Sequence, residues 1–164
     1  MNLMRNKNDH KNISLFTANH VTFGCNPDGN RYDPHGVVIM AKLPLTIVLV
    51  TGGRDYGDVG TVFDCLTKLN DQFERMIVVH GDADGADTLA NTVCKELGIE
   101  QVRVPAAWNK YKKAAGVIRN KLMLELFSVD LIMAFPGGTG TENMKTQGTK
   151  LEIPVMTPET LLQS

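Results

Sequence analysis

Five short apolar runs, each closed by a turn signal and separated from the next by helical periodicity, constrain this chain more than any other feature. Leu45–Val50 is continuous and β-branched, the pattern of a strand buried on both faces, and it ends at Thr51-Gly52-Gly53. Val62, Leu66, Leu69 and Phe73 then recur at helical spacing, and Met76–Val79 forms a second run that stops at His80-Gly81. Ala86, Leu89, Ala90, Val93 and Leu97 make an amphipathic stripe, with Gly98 where a C-capping glycine belongs. Gln101–Val104 ends at Pro105, and Ile118, Leu122 and Leu126 mark a third helix. Leu131–Phe135 ends at Pro136-Gly137-Gly138, a short helix follows, and a fifth strand is predicted at Ile153–Met156. Strands joined through helices of this length run parallel through right-handed crossovers. The expected fold is α/β, an open, mostly parallel Rossmann-like sheet flanked by helices.

The texture changes near Lys42. Residues 1–42 are polar and Asn-rich, with turn clusters at Asn26–Asn30 and Asp33–Gly36, and read as a small extension, either a hairpin or an arm. In the hairpin form, His20–Phe23 would pair with Val37–Met40. The predicted division is therefore an extension over 1–42 and the α/β domain over 43–164. His20, Cys25 and His35 match no metal-ligand spacing, and three cysteines without a CxxC support neither a disulfide framework nor a zinc finger. No metal and no cofactor is implied.

Lys and Arg number 17 against 18 Asp and Glu, so the basic excess expected of a protein that coats nucleic acid is missing. No apolar run approaches the roughly 20 residues of a membrane span, and no secretory h-region opens the chain. The expectation is a soluble cytoplasmic protein with no membrane partner, with nucleic acid disfavoured. Apolar helix faces beside a short sheet add an expectation of self-association, as a homodimer.

Ligands of such sheets bind outside the carboxyl ends of the strands. Three of those ends are glycine-bearing: Thr51-Gly52-Gly53-Arg54-Asp55, Gly81-Asp82-Ala83-Asp84-Gly85-Ala86-Asp87, and Pro136-Gly137-Gly138-Thr139-Gly140-Thr141. Glycine permits close backbone approach, and a helix N-terminus offers free N–H groups with partial positive charge. Together they describe an anion cradle, and phosphate is the natural anion. No GxGxxG follows the first strand and no GxxxxGKS/T occurs, which disfavours a conventional NAD dehydrogenase and a P-loop ATPase.

Pro136–Thr141 resembles the PGGxGT signature of the SLOG superfamily, which unites the Lonely Guy phosphoribohydrolases and the DNA-processing protein A family. Val50–Tyr56, His80-Gly81 with Gly85–Asp87, Trp108, Ala115–Asn120 with Met123, and the PGG loop appear in the order of its YspA-like branch. The resemblance covers about residues 45 to 157 and implies a nucleotide or nucleotide-derived ligand. Similarity to the Lonely Guy enzymes would further imply hydrolysis of the N-glycosidic bond of a nucleoside 5′-monophosphate, with an arginine on the helix before the PGG loop. Arg119 stands on a comparable helix. The pattern PGGxGTxxE also demands a carboxylate, but its position here is Met144. Glu142 lies two residues earlier, about 200° round a helix, so it points elsewhere.

The candidate ligand residues are therefore Gly52, Gly53, Arg54, Gly81, Asp82, Gly85, Ala86, Asp87, Arg119, Asn120 and Pro136 through Thr141, with Gly137, Gly138, Thr139 and Gly140 between. Arg119, Glu142 and Asp84 are the candidates for catalysis. Arg119 and the PGG loop are expected to act on one phosphate. Asp87 is left between capping its helix and meeting a ribose hydroxyl, and Trp108 between packing and stacking on a base. Lys110, Lys112 and Lys113 read as a solvated face. Two functions remain open: a nucleotide-ligand hydrolase, or a non-catalytic sensor or binding module. A DNA-processing role is a third, weaker one.

Overall fold

The computed structural model describes residues 15–18, 21–25, 31–32, 38–39 and 44–163. The chain divides into two units, 1–43 and 44–164. In the first, β1 (Leu15–Ala18), β2 (Val21–Cys25), β3 (Arg31–Tyr32) and β4 (Val38–Ile39) form an antiparallel sheet in the order β1-β2-β3-β4. Of the two readings left open, a hairpin or an arm, the direct pairing drawn for the hairpin is corrected: the segments around 21 and 38 are both strands, but β3 stands between them and pairs with each. His20 and His35 lie outside the described residues.

The second unit begins with β5 (Leu45–Thr51), followed by α1 (Val59–Gln72), β6 (Arg75–His80), α2 (Ala86–Leu97) and β7 (Glu100–Arg103). Next come α3 (Trp108–Tyr111), a 3₁₀ turn (Lys112–Ala114) and α4 (Ala115–Leu126). The chain closes with β8 (Leu131–Ala134), α5 (Thr139–Lys150), β9 (Val155–Met156) and α6 (Pro158–Leu162). The sheet order is β7-β6-β5-β8-β9, and every pair is parallel. From β5 the chain winds outward in one direction, then returns to β8 and winds outward in the other. The crevice at this reversal opens at the carboxyl ends of β5 and β8.

Successive residues of a strand face opposite sides, and β5 distributes its apolar run accordingly. Val48 and Val50 pack with Val62, Leu66 and Leu69 of α1 and with Ala90 and Val93 of α2, while Leu49 packs with Met123 of α4 and Met144 of α5. Both faces of the central strand are covered, which is why its sequence is continuously apolar rather than alternating. α1 starts at Asp58, whose carboxylate accepts from the Thr61 amide at 3.0 Å and the Thr61 hydroxyl at 2.7 Å. Those bonds hold the Asp58 carboxyl below its ordinary value. α2 ends at Gly98 in the left-handed conformation (φ 69°).

One further expectation is corrected, and the third helix is found where Ile118, Leu122 and Leu126 mark it. The fifth strand spans only Val155–Met156, because Ile153 turns back to donate to the Gly148 carbonyl and Pro154 has no amide for a ladder. Ile118, Leu122 and Leu126 are 39%, 41% and 64% exposed, so this stripe is on the solvent side of α4. Ala115, Asn120 and Met123 are the residues that α4 buries. Among the described residues, no helix is long and apolar enough to cross a membrane.

The buried clusters on both faces of the sheet draw on residues from Val48 to Leu161. Deleting residues 1–39 is therefore expected to leave a cooperative unfolding transition, followed by circular dichroism in urea. Loss of that transition would mean that the first unit is needed for the second to fold.

Candidate functional site

Three loops meet at the reversal of the strand order, and backbone bonds tie them to one another. The Gly53 amide donates to the Pro136 carbonyl at 2.9 Å, and the Ala86 amide donates to the Gly53 carbonyl at 3.1 Å. Gly53 thus joins the loop after β5 to both the PGG loop and the start of α2. Such closeness excludes side chains. A Cβ on Gly137 would stand 2.5 Å from the Gly53 nitrogen and 2.8 Å from the Gly52 carbonyl carbon. Gly85 has φ 72°, and a Cβ there would strike the Gly53 carbonyl oxygen. Gly52, Gly53, Gly85, Ala86 and Gly137 therefore build the junction itself, and the amides of Gly53 and Ala86 are already used within it.

Arg119 and Asp87 lock the second loop. The Arg119 guanidinium donates through Nη1 to the Gly81 carbonyl and lies 3.7 Å from Asp87 Oδ2. Their side chains are 14% and 8% exposed. The same Asp87 oxygen accepts from the amides of Gly81 at 3.0 Å and Ala83 at 3.2 Å. Asp87 therefore caps the loop that precedes its own helix. Burial pushes its carboxyl above the ordinary value, against the opposing pull of Arg119 and the two amides. Burial likewise pulls the Arg119 guanidinium down, with Asp87 opposing. Arg119 lies one turn inside α4 rather than at its start, which places it over Gly81.

Arg119 is also connected to α5. Its Nε donates to Asn120 Oδ1 at 3.1 Å, and Asn120 Nδ2 donates to the Gly140 carbonyl at 3.1 Å and to Asn143 Oδ1 at 3.2 Å. Asn120 is buried, so it is a tie between helices. The first turn of α5 has no side-chain cap, and its first helical bond runs from the Glu142 amide to the Gly138 carbonyl. The amides of Thr139, Gly140 and Thr141 consequently have no partner within the helix. Thr141 is 3% exposed, and its hydroxyl has no hydrogen-bond partner among the described residues.

These groups line a cleft of ≈ 560 Å³. Of the sequence candidates, Gly52, Gly53, Arg54, Asp87, Arg119 and Asn120 border it, as does the run from Gly138 through Thr139 and Gly140 to Thr141. Pro136, Gly137 and Glu142 border a separate depression of ≈ 310 Å³. Glu142 is paired there with Lys145 at 2.9 Å and its side chain is 62% exposed. Asp82 and Asp84 are exposed, and Asp82 pairs with Arg103 at 3.5 Å. Met144 is fully buried against Leu49 and Ile132, so the position that would carry the hydrolase glutamate belongs to the core.

Asp55 and Asn143, which sequence reasoning passed over, and Lys113, which it read as part of a solvated face, also border the cleft. Asp55 had a readable signal, since it directly follows Arg54 in the first glycine loop. Lys113 had none: its place depends on the turn between α3 and α4. Tyr56 packs its ring 5.5 Å from that of Phe135 and belongs to the core side. Cys65 and Cys94 are buried, and burial pushes their thiols up to about 11 and about 12, which leaves neither as a nucleophile.

The sequence pattern of the YspA, cpYpsA-related SLOG family matches residues 46–111. The chain is 36% identical over 117 residues to the Gene 61 protein of Mycobacterium phage D29, covering 66% of this chain and 93% of that protein. Its fold is similar to the crystal structure of the structural-genomics target TM1055, at 20% identity and a TM-score of 0.51, over 67% of this chain and 72% of that one. A similarity to the Moco Carrier Protein from Chlamydomonas reinhardtii has 15% identity and a TM-score of 0.48, over 70% and 76% of the two chains.

Proposed function

The chain belongs to the YspA, cpYpsA-related SLOG family, and from that premise we propose that it binds a phosphorylated nucleotide-derived ligand in the ≈ 560 Å³ cleft without cleaving its glycosidic bond. The observation that carries this reading is the division of charges around the cleft. The free amides of Thr139, Gly140 and Thr141 border it together with Arg54 and Lys113, which gives a phosphate both a helix N-terminus and cations.

Carboxylates suited to an oxocarbenium-like sugar are scarce by comparison. Of the carboxylates that border the cleft, Asp87 is engaged by Arg119 and two amides and Asp55 lies exposed in the loop that carries Arg54, while Glu142 borders the other depression and the Met144 thioether is sealed in the core. Arg119 borders the cleft while its guanidinium holds the loop at Gly81 in place, which leaves Arg54 and Lys113 as the more open cations for a phosphate.

Isothermal calorimetry with AMP, NAD and ADP-ribose, paired with chromatography for released base, tests the proposal. At least one of the phosphorylated compounds is expected to bind, with no free base after prolonged incubation. Where AMP binds, adenosine should bind about 10-fold more weakly or worse, the loss of one charge-assisted anchor. Failure of every phosphorylated compound to bind would overturn the ligand class, and release of base would overturn the non-catalytic reading.

A further inference from the structure

Trp108 is only partly packed: its ring edge faces Gly116 of α4, yet much of the indole remains open. It is 45% exposed, the four residues of α3 bury none of their side chains, and neither do the three of the following 3₁₀ turn. A large indole left that open is unusual unless its flat face serves a partner. Trp108 borders the same cleft as the α5 N-terminus, and the Arg54 guanidinium lies 4.8 Å over its ring. Arg54 is exposed and is held there by a cation–π contact, with no carboxylate partner among the described residues. Two single-turn elements meet just after Trp108 at Lys112, whose backbone has φ 47° and ψ −129°, a combination that a side chain disfavours.

We infer that Trp108 forms a stacking subsite for the planar heteroaromatic base of the ligand, on the ring face over which the Arg54 guanidinium now lies. This rests on the phosphorylated-ligand reading and adds to it the surface that recognises the base. A base offers a π-face to the indole, and the Arg54 side chain, flexible and solvent-borne, yields that face or closes over the base from the other side. Stacking of this kind discriminates a base from no base, but weakly among bases, because every base has such a face. The subsite therefore predicts tolerance for purine and pyrimidine nucleotides, and a cleft that binds ribose 5-phosphate through the phosphate alone.

Trp108 is the sole tryptophan of the chain, so its fluorescence reports this position without interference. The full-length protein is titrated with AMP, UMP and ribose 5-phosphate, by tryptophan fluorescence and by calorimetry. AMP and UMP are expected to quench the indole, whereas ribose 5-phosphate binds with little change in emission. Trp108→Ala should weaken AMP by about 5- to 150-fold and leave ribose 5-phosphate within about twofold, with Trp108→Phe restoring most of the loss. Equal weakening of AMP and ribose 5-phosphate by Trp108→Ala, or no weakening of AMP, would overturn the stacking subsite while the phosphate reading stands. Absence of binding by all three compounds would overturn both.

Discussion

Replacing Arg119 by methionine is expected to cost about 3–5 kcal/mol of folding stability at pH 7, and distinctly less in acid. Methionine keeps most of the length of the side chain but leaves Asp87 as a buried carboxylate without its cation. Two amides still reach that carboxylate, so the loop is not undone, but the charge is no longer compensated. The pH dependence follows from the direction of the Asp87 shift. A carboxyl raised in the folded state stabilises the fold most when it is protonated, below its unfolded value, and that contribution is lost as pH rises through the folded value. Removing Arg119 removes an influence that lowers the Asp87 value, so the folded value climbs and the loss grows from acid toward neutrality. Urea denaturation of both proteins at pH 4 and pH 7 measures it. Asp87→Asn keeps an acceptor for the Gly81 and Ala83 amides without the charge, so Arg119→Met should cost less in that background. An equal cost in both backgrounds, and at both pH values, would show that Arg119 acts by packing alone.

Gly137 and Gly138 are neighbours in one motif, and their substitution by alanine is expected to have opposite consequences. Gly137→Ala places a methyl against the backbone of Gly52 and Gly53, atoms that cannot rotate away, and should lower stability by about 1–3 kcal/mol or more. It also forces the PGG loop away from the Gly53 amide that bonds to the Pro136 carbonyl. Gly138 has φ −92°, which any residue adopts, and a Cβ there meets nothing within 4 Å. Gly138→Ala should therefore leave stability within about 0.5 kcal/mol. Its methyl borders the cleft, so any effect should appear in ligand affinity rather than in the unfolding midpoint. Thermal melts of the two variants, read beside AMP calorimetry, separate the roles. Similar melting losses in both would mean that the loop depends on glycine throughout for its conformation.

The strands were legible because a parallel sheet buried on both faces requires uninterrupted apolar runs, and Leu45–Val50 and Leu131–Phe135 are such runs. The turn at Gly98 was legible because only a residue free of Cβ strain ends a helix in that way. Ile118, Leu122 and Leu126 located the helix α4 but not its buried side, since helical spacing identifies a face and not the side on which the sheet lies. The loops were recognisable as a group, yet the glycines within them were not separable by sequence. Gly85 and Gly137 are needed for contact between backbones that are distant in the chain, while Gly138 and Gly140 meet nothing within 4 Å.

By itself the sequence determined the α/β order of elements, the edge at which the glycine loops gather, and the absence of a glutamate at Met144, all of which depend on local periodicity and residue type. Tertiary structure decided which residues border the cleft and which hold its walls. Asp87 turned out to secure the loop before its helix because Arg119, from a helix over thirty residues later, arrives at Gly81 and shares its carboxylate oxygen. Lys113 and Trp108 border the cleft because α3 and the following turn pack against α4, which also carries Arg119 and Asn120. Such placements follow from the crossover that returns the chain to β8, a long-range event on which the spacing of residues along the chain is silent.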